Sequence, residues 1–164
     1  MVSVEKLVST GKTAIQSSTA YRGVPARALD GNKNTDYFKG SCTHTAREKN
    51  PFWQVDLGQA YHVTKVVITN RGDCCFERLS NFEIRVGKYK ASSGNPACVE
   101  HAKLGKGETK AFKCDLVGSQ VNVRIIGTQF LTLCEVQVLA LVPVGNGGDF
   151  VEKRLFLDEG SLPE

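Results

Sequence analysis

The sequence predicts an all-β sandwich, on three observations. Apolar and polar residues alternate at period two in five separate segments, turn-forming clusters stand between those segments, and no stretch of ten or more residues carries a helical apolar stripe. A strand sends successive side chains to opposite faces, so such alternation marks sheets with one buried and one wet face. The 164 residues suffice for one domain with its own core and fall short of two of ordinary size. Hydrophobic residues make up 41% and charged residues 23%, without a long apolar run, a balance that points to a soluble globular chain and away from disorder or a membrane span.

Taken in order, the stretch from Ser17 to Asn50 shows little alternation and many turn residues with side-chain oxygens, Asp30-Gly31-Asn32 among them. Long irregular segments of this kind in compact domains carry function. Phe52-Trp53-Gln54-Val55-Asp56-Leu57-Gly58 holds the one tryptophan, expected to fill the centre of a small sandwich. Tyr61 to Thr69 alternates and ends at the turn Asn70-Arg71-Gly72-Asp73. Phe82 to Val86 is the next strand, followed by the turns Ser93-Gly94-Asn95-Pro96 and Gly105-Lys106-Gly107. Lys110 to Cys114, Val121 to Ile125 and Cys134 to Leu141 complete the set. After Leu141 the alternation stops. Pro143-Val144-Gly145-Asn146-Gly147-Gly148 reads as a linker, and Phe150 to Leu157 is apolar enough to pack on this domain or on a partner. The expected division is a domain over 1–142 and a linker and tail over 143–164.

Charge and cysteines narrow the function classes. Of 21 basic and 17 acidic residues, the tail from 143 holds two and five, leaving 19 basic against 12 acidic in the first 142. That excess would suit nucleic acid or anionic glycans. The basic residues are scattered, however, with no run and no interleaved aromatic platform, so nucleic acid is not an expected partner. Six cysteines, Cys42, Cys74, Cys75, Cys98, Cys114 and Cys134, form no C-x-x-C pair and favour an oxidising, extracellular compartment over zinc or redox chemistry. Spacing alone leaves 15 pairings open. No basic-then-apolar leader stands at the start, and no Asn-x-Ser/Thr acceptor occurs, so a secreted form is expected without N-linked glycan.

The strand around Trp53 resembles the tryptophan-containing strand of discoidin-like, galactose-binding jelly rolls, which speaks to fold and not to function. A sharper pattern follows: His44, twenty-six residues, Arg71, one residue, Asp73, four residues, Arg78, with Cys74-Cys75 inside the last gap. This constellation resembles the sugar-binding signature of the F-type lectins, the fucolectin family. The resemblance runs from about Leu7 to Leu141 and takes in Ala28-Leu29-Asp30-Gly31-Asn32, Gly40-Ser41-Cys42-Thr43-His44 and Leu133-Cys134-Glu135-Val136. It implies a discoidin-like β jelly roll of antiparallel strands with long binding loops at one end. It also implies binding of terminal L-fucose on glycans through His44, Arg71 and Arg78, with Asp73 between the arginines and Tyr37 and Phe38 walling a pocket for the methyl group.

The same resemblance implies the cysteine pairing: a vicinal bridge Cys74–Cys75 laid against the sugar ring, Cys42 to Cys134, and Cys98 to Cys114. Neighbouring Cα atoms sit about 3.8 Å apart, below the usual bridge separation of about 4.4 Å or more, so a vicinal bridge stiffens its loop. The two longer bridges would contribute about 4.5 and about 3 kcal/mol on the chain-entropy account. A structural calcium ion is implied as well. Its ligands would be Asp30, Asn32, Ser41 and Glu135, with backbone carbonyls of Arg27 and Cys134. Hard cations take six to eight such oxygens. Closing Cys42 on Cys134 brings Ser41 and Glu135 together, and the ion would pin the loop carrying His44 without touching sugar.

The residues support this independently. A deoxyhexose offers vicinal hydroxyls, a ring oxygen and a methyl group, so its site needs convergent donors beside an apolar pocket. Arg71 and Arg78 supply planar forks that keep their charge, His44 is expected to donate from a ring nitrogen, and Asp73 to orient one guanidinium. No enzyme is expected, because glycoside hydrolysis generally needs two carboxyl groups flanking the bond, and Asp73 between two arginines would stay ionised. The alternative is a discoidin-like domain binding phospholipid or a protein, which shares the Trp53 strand but places large apolar residues on loop tips. Membrane insertion is not expected, and because single monosaccharide sites are weak, tight attachment would call for several sites on one homo-oligomer, whose order the residues do not fix. His62, His101 and Glu77 fit no motif and are assigned to structure or solvent.

Overall fold

The computed structural model describes residues 2–144. Nine strands follow one another: β1 (Val2–Leu7), β2 (Thr13–Gln16), β3 (Glu48–Lys49), β4 (Phe52–Thr69), β5 (Ser80–Gly87), β6 (Ala97–Lys103), β7 (Thr109–Ile125), β8 (Thr128–Gln129) and β9 (Glu135–Val144). All pairings are antiparallel. Seven strands hydrogen-bond in the order β1-β9-β4-β7-β5-β6, with β2 on β4, and β3 pairs β8 apart from them. Among the described residues no helix is long and apolar enough to cross a membrane.

The seven strands form two layers because β4 and β7 serve both. The first part of β4, Phe52 to Asp56, pairs Arg124 to Gln120 of β7, and its second part, Tyr61 to Thr69, pairs β9 and the start of β7. Between Asp56 and Tyr61 the register breaks. Gly58 stands in that break at φ +86°, a left-handed backbone that a side chain would strain, and its N–H is taken by the Asp56 carboxylate at 2.8 Å. The strands turn there and the layers face each other. Phe82 of β5 meets Phe112 of β7 edge to face at 5.6 Å, and the Cys98–Cys114 bridge ties β6 to the other layer.

Alternating residues fill the space between. Trp53, Val55 and Leu57 from β4, Phe82, Ile84 and Val86 from β5, Val121 and Val123 from β7, and Val136 and Val138 from β9 belong to one buried cluster. Full burial of each such side chain contributes about 1.5–3 kcal/mol. Trp53 is the core anchor expected of it, and its indole N–H donates to the Pro25 carbonyl at 3.0 Å, pinning the entry of the irregular segment onto the sandwich.

Boundaries differ from the sequence reading, which separated Phe52 to Gly58 from Tyr61 to Thr69 where β4 runs unbroken. The segments Lys110 to Cys114 and Val121 to Ile125 are one continuous strand, and β9 runs on through Pro143 to Val144. Past Leu141, β9 has, among the described residues, only β1 beside it, with Pro143 opposite Ser3, so the proline sits in an edge pairing, where its missing N–H is tolerated. The remainder of the linker and tail, 145–164, lies outside the described residues.

Candidate functional site

The strands deliver their longest connections to one end: the loop from Ser17 to Pro51, the loop after β4, and the loop between β7 and β9. His44 stands on an extended segment clamped from two sides. Thr43 and Thr45 donate their backbone N–H groups to Leu133 and Leu131 at 2.8 and 3.0 Å, and their hydroxyls accept from the same two residues. His44 N–H turns the other way and donates to the Gly23 carbonyl at 2.9 Å. That approach requires glycine, since a Cβ on Gly23 would stand 2.4 Å from His44 N.

The loop after β4 is built on Asn70. Its buried amide donates to the carbonyls of Phe76 and Gly105 at 3.0 Å each, and its side-chain oxygen accepts from Arg71 N at 2.8 Å. Arg71 leaves this hub into the site, and a short 3₁₀ turn, Phe76–Arg78, carries the second arginine back to it. Cys74 and Cys75 are joined between them, and the other two bridges are Cys42–Cys134 and Cys98–Cys114. These are the three pairings that the resemblance implied.

The side chains converge on a cleft of about 430 Å³ lined by His44, Arg71, Cys74, Cys75 and Arg78, together with Tyr37 and Phe38. Arg71 makes a bidentate pair with Asp73, Nε to Oδ1 and Nη2 to Oδ2 at 2.9 Å each, and Tyr37 N–H adds a third bond to Oδ1 at 2.9 Å. The Arg71 hydrogen bonds, against a smaller cost of burial, hold the Asp73 carboxyl down at about 2. Asp73 therefore orients Arg71 from behind and does not line the cleft. Arg78 lies over the ring of Phe130, its guanidinium carbon 4.4 Å from the centroid.

Two expected roles change. His44 Nδ1 is 2.7 Å from the Thr45 carbonyl, which only accepts, so Nδ1 carries the proton. Burial, with the charges of Arg71 and Arg78, pushes the imidazole pKa down and keeps the ring neutral. Its Nε2 is then an acceptor for a hydroxyl, not the donor expected from sequence. Tyr37 and Phe38 both line the cleft, but unequally. Tyr37 is buried, its hydroxyl donating to the Tyr21 carbonyl at 2.6 Å and its ring lying 4.7 Å beneath the Arg71 guanidinium, so it is a platform more than a wall. Phe38 is 81% exposed at the rim. Sequence reasoning missed three lining residues, Tyr21, Arg22 and Phe130. The rings of Tyr21 and Phe130 meet His44 edge-on at 4.8 and 5.4 Å.

The residues expected around calcium gather beside the Cys42–Cys134 bridge. Asp30, Asn32, Asn34 and Asp36 each accept, through a side-chain oxygen, the N–H two residues on, so the loop winds in four successive turns. Ser41 Oγ donates to the Asn34 carbonyl at 2.5 Å, and Asn32 Oδ1 is engaged by Asn34 N–H. Glu135 is 3% exposed. Its Oε2 accepts from Gly31 N–H at 2.9 Å, while Oε1 is buried without a partner. Burial, partly offset by that bond and reinforced by the nearby Asp30 charge, pushes the Glu135 carboxyl up to about 7. A buried carboxylate with one unanswered oxygen, facing another acid, fits a cation. Asp30, Asn32, Ser41 and Glu135 offer oxygen atoms alone, a hard donor set unlike a zinc site, and no cluster of three or more His, Cys, Asp or Glu occurs among the described residues.

Residues 27–125 match the family described as a NedA-like, galactose-binding domain. The chain is 44% identical to Fucolectin-1 of Anguilla japonica over 140 residues, covering 83% of this chain and 79% of that one. Among solved structures it resembles a fucolectin from Morone saxatilis (striped bass) serum, with a TM-score of 0.80 and 39% identity over 84% of this chain and 49% of that one. It also resembles the lectin domain of lectinolysin complexed with Lewis B antigen, with a TM-score of 0.71 and 38% identity over 80% of this chain and 94% of that one.

Proposed function

The chain belongs to the fucolectin family, and from that premise we propose that its cleft binds terminal L-fucose on glycans. The observation that carries this reading is the convergence of two arginines and a neutral histidine on one concave site beside a vicinal disulfide. The vicinal hydroxyls of fucose would accept from Arg71 and Arg78, and one of them would donate to His44 Nε2. A hydroxyl both gives and receives, so a donor–acceptor set of this kind uses its full capacity. The apolar side of the ring would lie on the Cys74–Cys75 sulfurs, with the methyl group toward Tyr37 and Phe38. Because Asp73 already holds Arg71, binding orders little.

Binding without chemistry is the assigned activity. No carboxylate lines the cleft among the described residues, and Asp73, with a pKa of about 2, is unsuited to serve as a general acid. Asp30, Asn32, Ser41 and Glu135, with the carbonyls of Arg27 and Cys134, would hold a structural calcium ion, whose charge would answer Glu135 and fix the loop from Arg27 to Ser41. Three disulfides favour secretion, and tight attachment to a glycan surface would call for several copies of a weak site in one assembly. Calorimetric titration with L-fucose, beside the Arg78→Ala and His44→Ala variants, tests the assignment. Saturable binding lost in both variants is expected, and unchanged affinity in either would overturn the site.

A further inference from the structure

The loop that carries Tyr21 and Arg22 takes a conformation most sequences avoid, and the fucose reading makes no use of it. Tyr21 and Arg22 have φ of +50° and +62°, two adjacent non-glycine residues in the left-handed region, where a side chain crowds its own backbone. Such geometry persists only where the surroundings over-determine it. Here Ala20 N–H donates to the His44 carbonyl, Gly23 N–H to Ala20 and His44 N–H to Gly23, each at 2.9 Å, and the Tyr37 hydroxyl fixes the Tyr21 carbonyl. Both side chains are thereby thrown to the mouth of the cleft. The Tyr21 ring is 71% exposed, and the exposed Arg22 lines the same opening.

Charge around that opening is unevenly answered. Arg71 is neutralised by Asp73, and Arg78 lies on Phe130. Neither Arg78 nor Arg22 forms an ion pair among the described residues, and of the two only Arg22 is left without a role in the fucose reading. A guanidinium keeps its charge at every relevant pH and offers a planar fork that matches two oxygens of a sulfate or a carboxylate. Its backbone is locked at the edge of the cleft, so an anion bound there would have only the side chain left to order.

We propose that Arg22 forms a rim subsite for an anionic group, a sulfate ester or a carboxylate, on the sugar adjoining fucose. The inference rests on the cleft being a fucose site and gives that site a ligand class, anionic fucosylated glycans over neutral ones. The full chain is titrated calorimetrically with L-fucose, with neutral Lewis a trisaccharide, and with the 3′-sulfated and 3′-sialylated forms of that trisaccharide. At low salt at least one anionic form binds about threefold to tenfold tighter than the neutral one, and added salt shrinks the ratio. Preference for the sulfated form alone assigns the sulfate ester, and for the sialylated form alone the carboxylate. The ratio falls toward one in Arg22→Asn, whose side chain tolerates left-handed backbone, and in the size-matched Arg22→Gln, and it survives in Arg22→Lys. Equal affinities for neutral and anionic forms, or a ratio unmoved by Arg22→Asn and Arg22→Gln, would overturn the subsite while fucose binding stands. Absence of L-fucose binding overturns the reading of the cleft and this inference with it.

Discussion

Two carboxylates at the loop end of the molecule have opposite fates. Asp73 receives three hydrogen bonds from Arg71 and Tyr37, and its pKa lies at about 2. Glu135 receives one, keeps a buried oxygen unpartnered, and is pushed up to about 7. The difference separates a site finished by the protein itself from one that, on the proposed reading, a cation would finish. On the proposed reading, the cleft is preorganised before sugar arrives. The loop from Arg27 to Ser41 is not complete on the same terms, although it supplies the segment leading to His44.

The largest expected effect breaks the finished side. Arg78→Ala removes a charge-assisted bond worth about 1.5–3 kcal/mol, so L-fucose affinity should drop at least about tenfold in calorimetry. Asp73→Asn should weaken binding as well, by freeing Arg71, with the loss falling in the entropy of binding, since the guanidinium must then be ordered by the sugar.

The proposed calcium ion would act on the unfinished side. An ion at about a hundred times its Kd stabilises the fold by about 2.7 kcal/mol, so melting should rise by several degrees with calcium and fall with chelator. Glu135→Gln should abolish that response. The pH dependence sharpens the contrast. In chelator, the folded pKa of Glu135 at about 7 lies above its ordinary value of 4.5, so its contribution is present at pH 4 and lost as pH rises through 7. The metal-free melting temperature should decline from pH 5 to 8, and calcium should flatten the decline. A melting curve indifferent to calcium, chelator and pH would erase the distinction.

A smaller effect concerns the sixth carbon of the sugar. L-galactose adds a hydroxyl to the fucose methyl, and burying it unpaired against Phe38 and Tyr37 costs about 1–3 kcal/mol, so L-fucose should be preferred by about five- to a hundredfold. Equal affinities would place that carbon in water. The smallest is the acid limb of binding. Affinity should hold from pH 8 to 6.5 and decline mildly below, because the His44 pKa is depressed and a second proton would cost Nε2 its acceptor role. The Asp73 pair should leave no trace until far more acid conditions.

How much of this was legible in the sequence depended on locality. The alternation of Tyr61 to Thr69 and Cys134 to Leu141 appears as strand because one face is wet. β1 and β2 went unread, being short and largely exposed, and β6 pairs β5 through repeated register shifts that blur any period. His44, Arg71 and Arg78 were legible as a spaced pattern. Tyr21 and Arg22 were not, because only the Gly23–His44 backbone contact brings them to the cleft. Phe130 carried a weak signal: it stands four residues before Cys134, whose bridge to Cys42 places its surroundings beside His44.

The pairing of β1 with β9 sets the order in which the chain can mature. Val2 opposes Val144 and Leu7 opposes Leu139, so among the described residues β1, earliest in the chain, pairs only with β9, the latest. Contacts of such sequence separation slow folding and leave edges open meanwhile. Closure of the outer layer therefore waits for β9, and the Cys42–Cys134 bridge, spanning a sequence separation of 92, cannot close until Cys134 has followed Cys42 out.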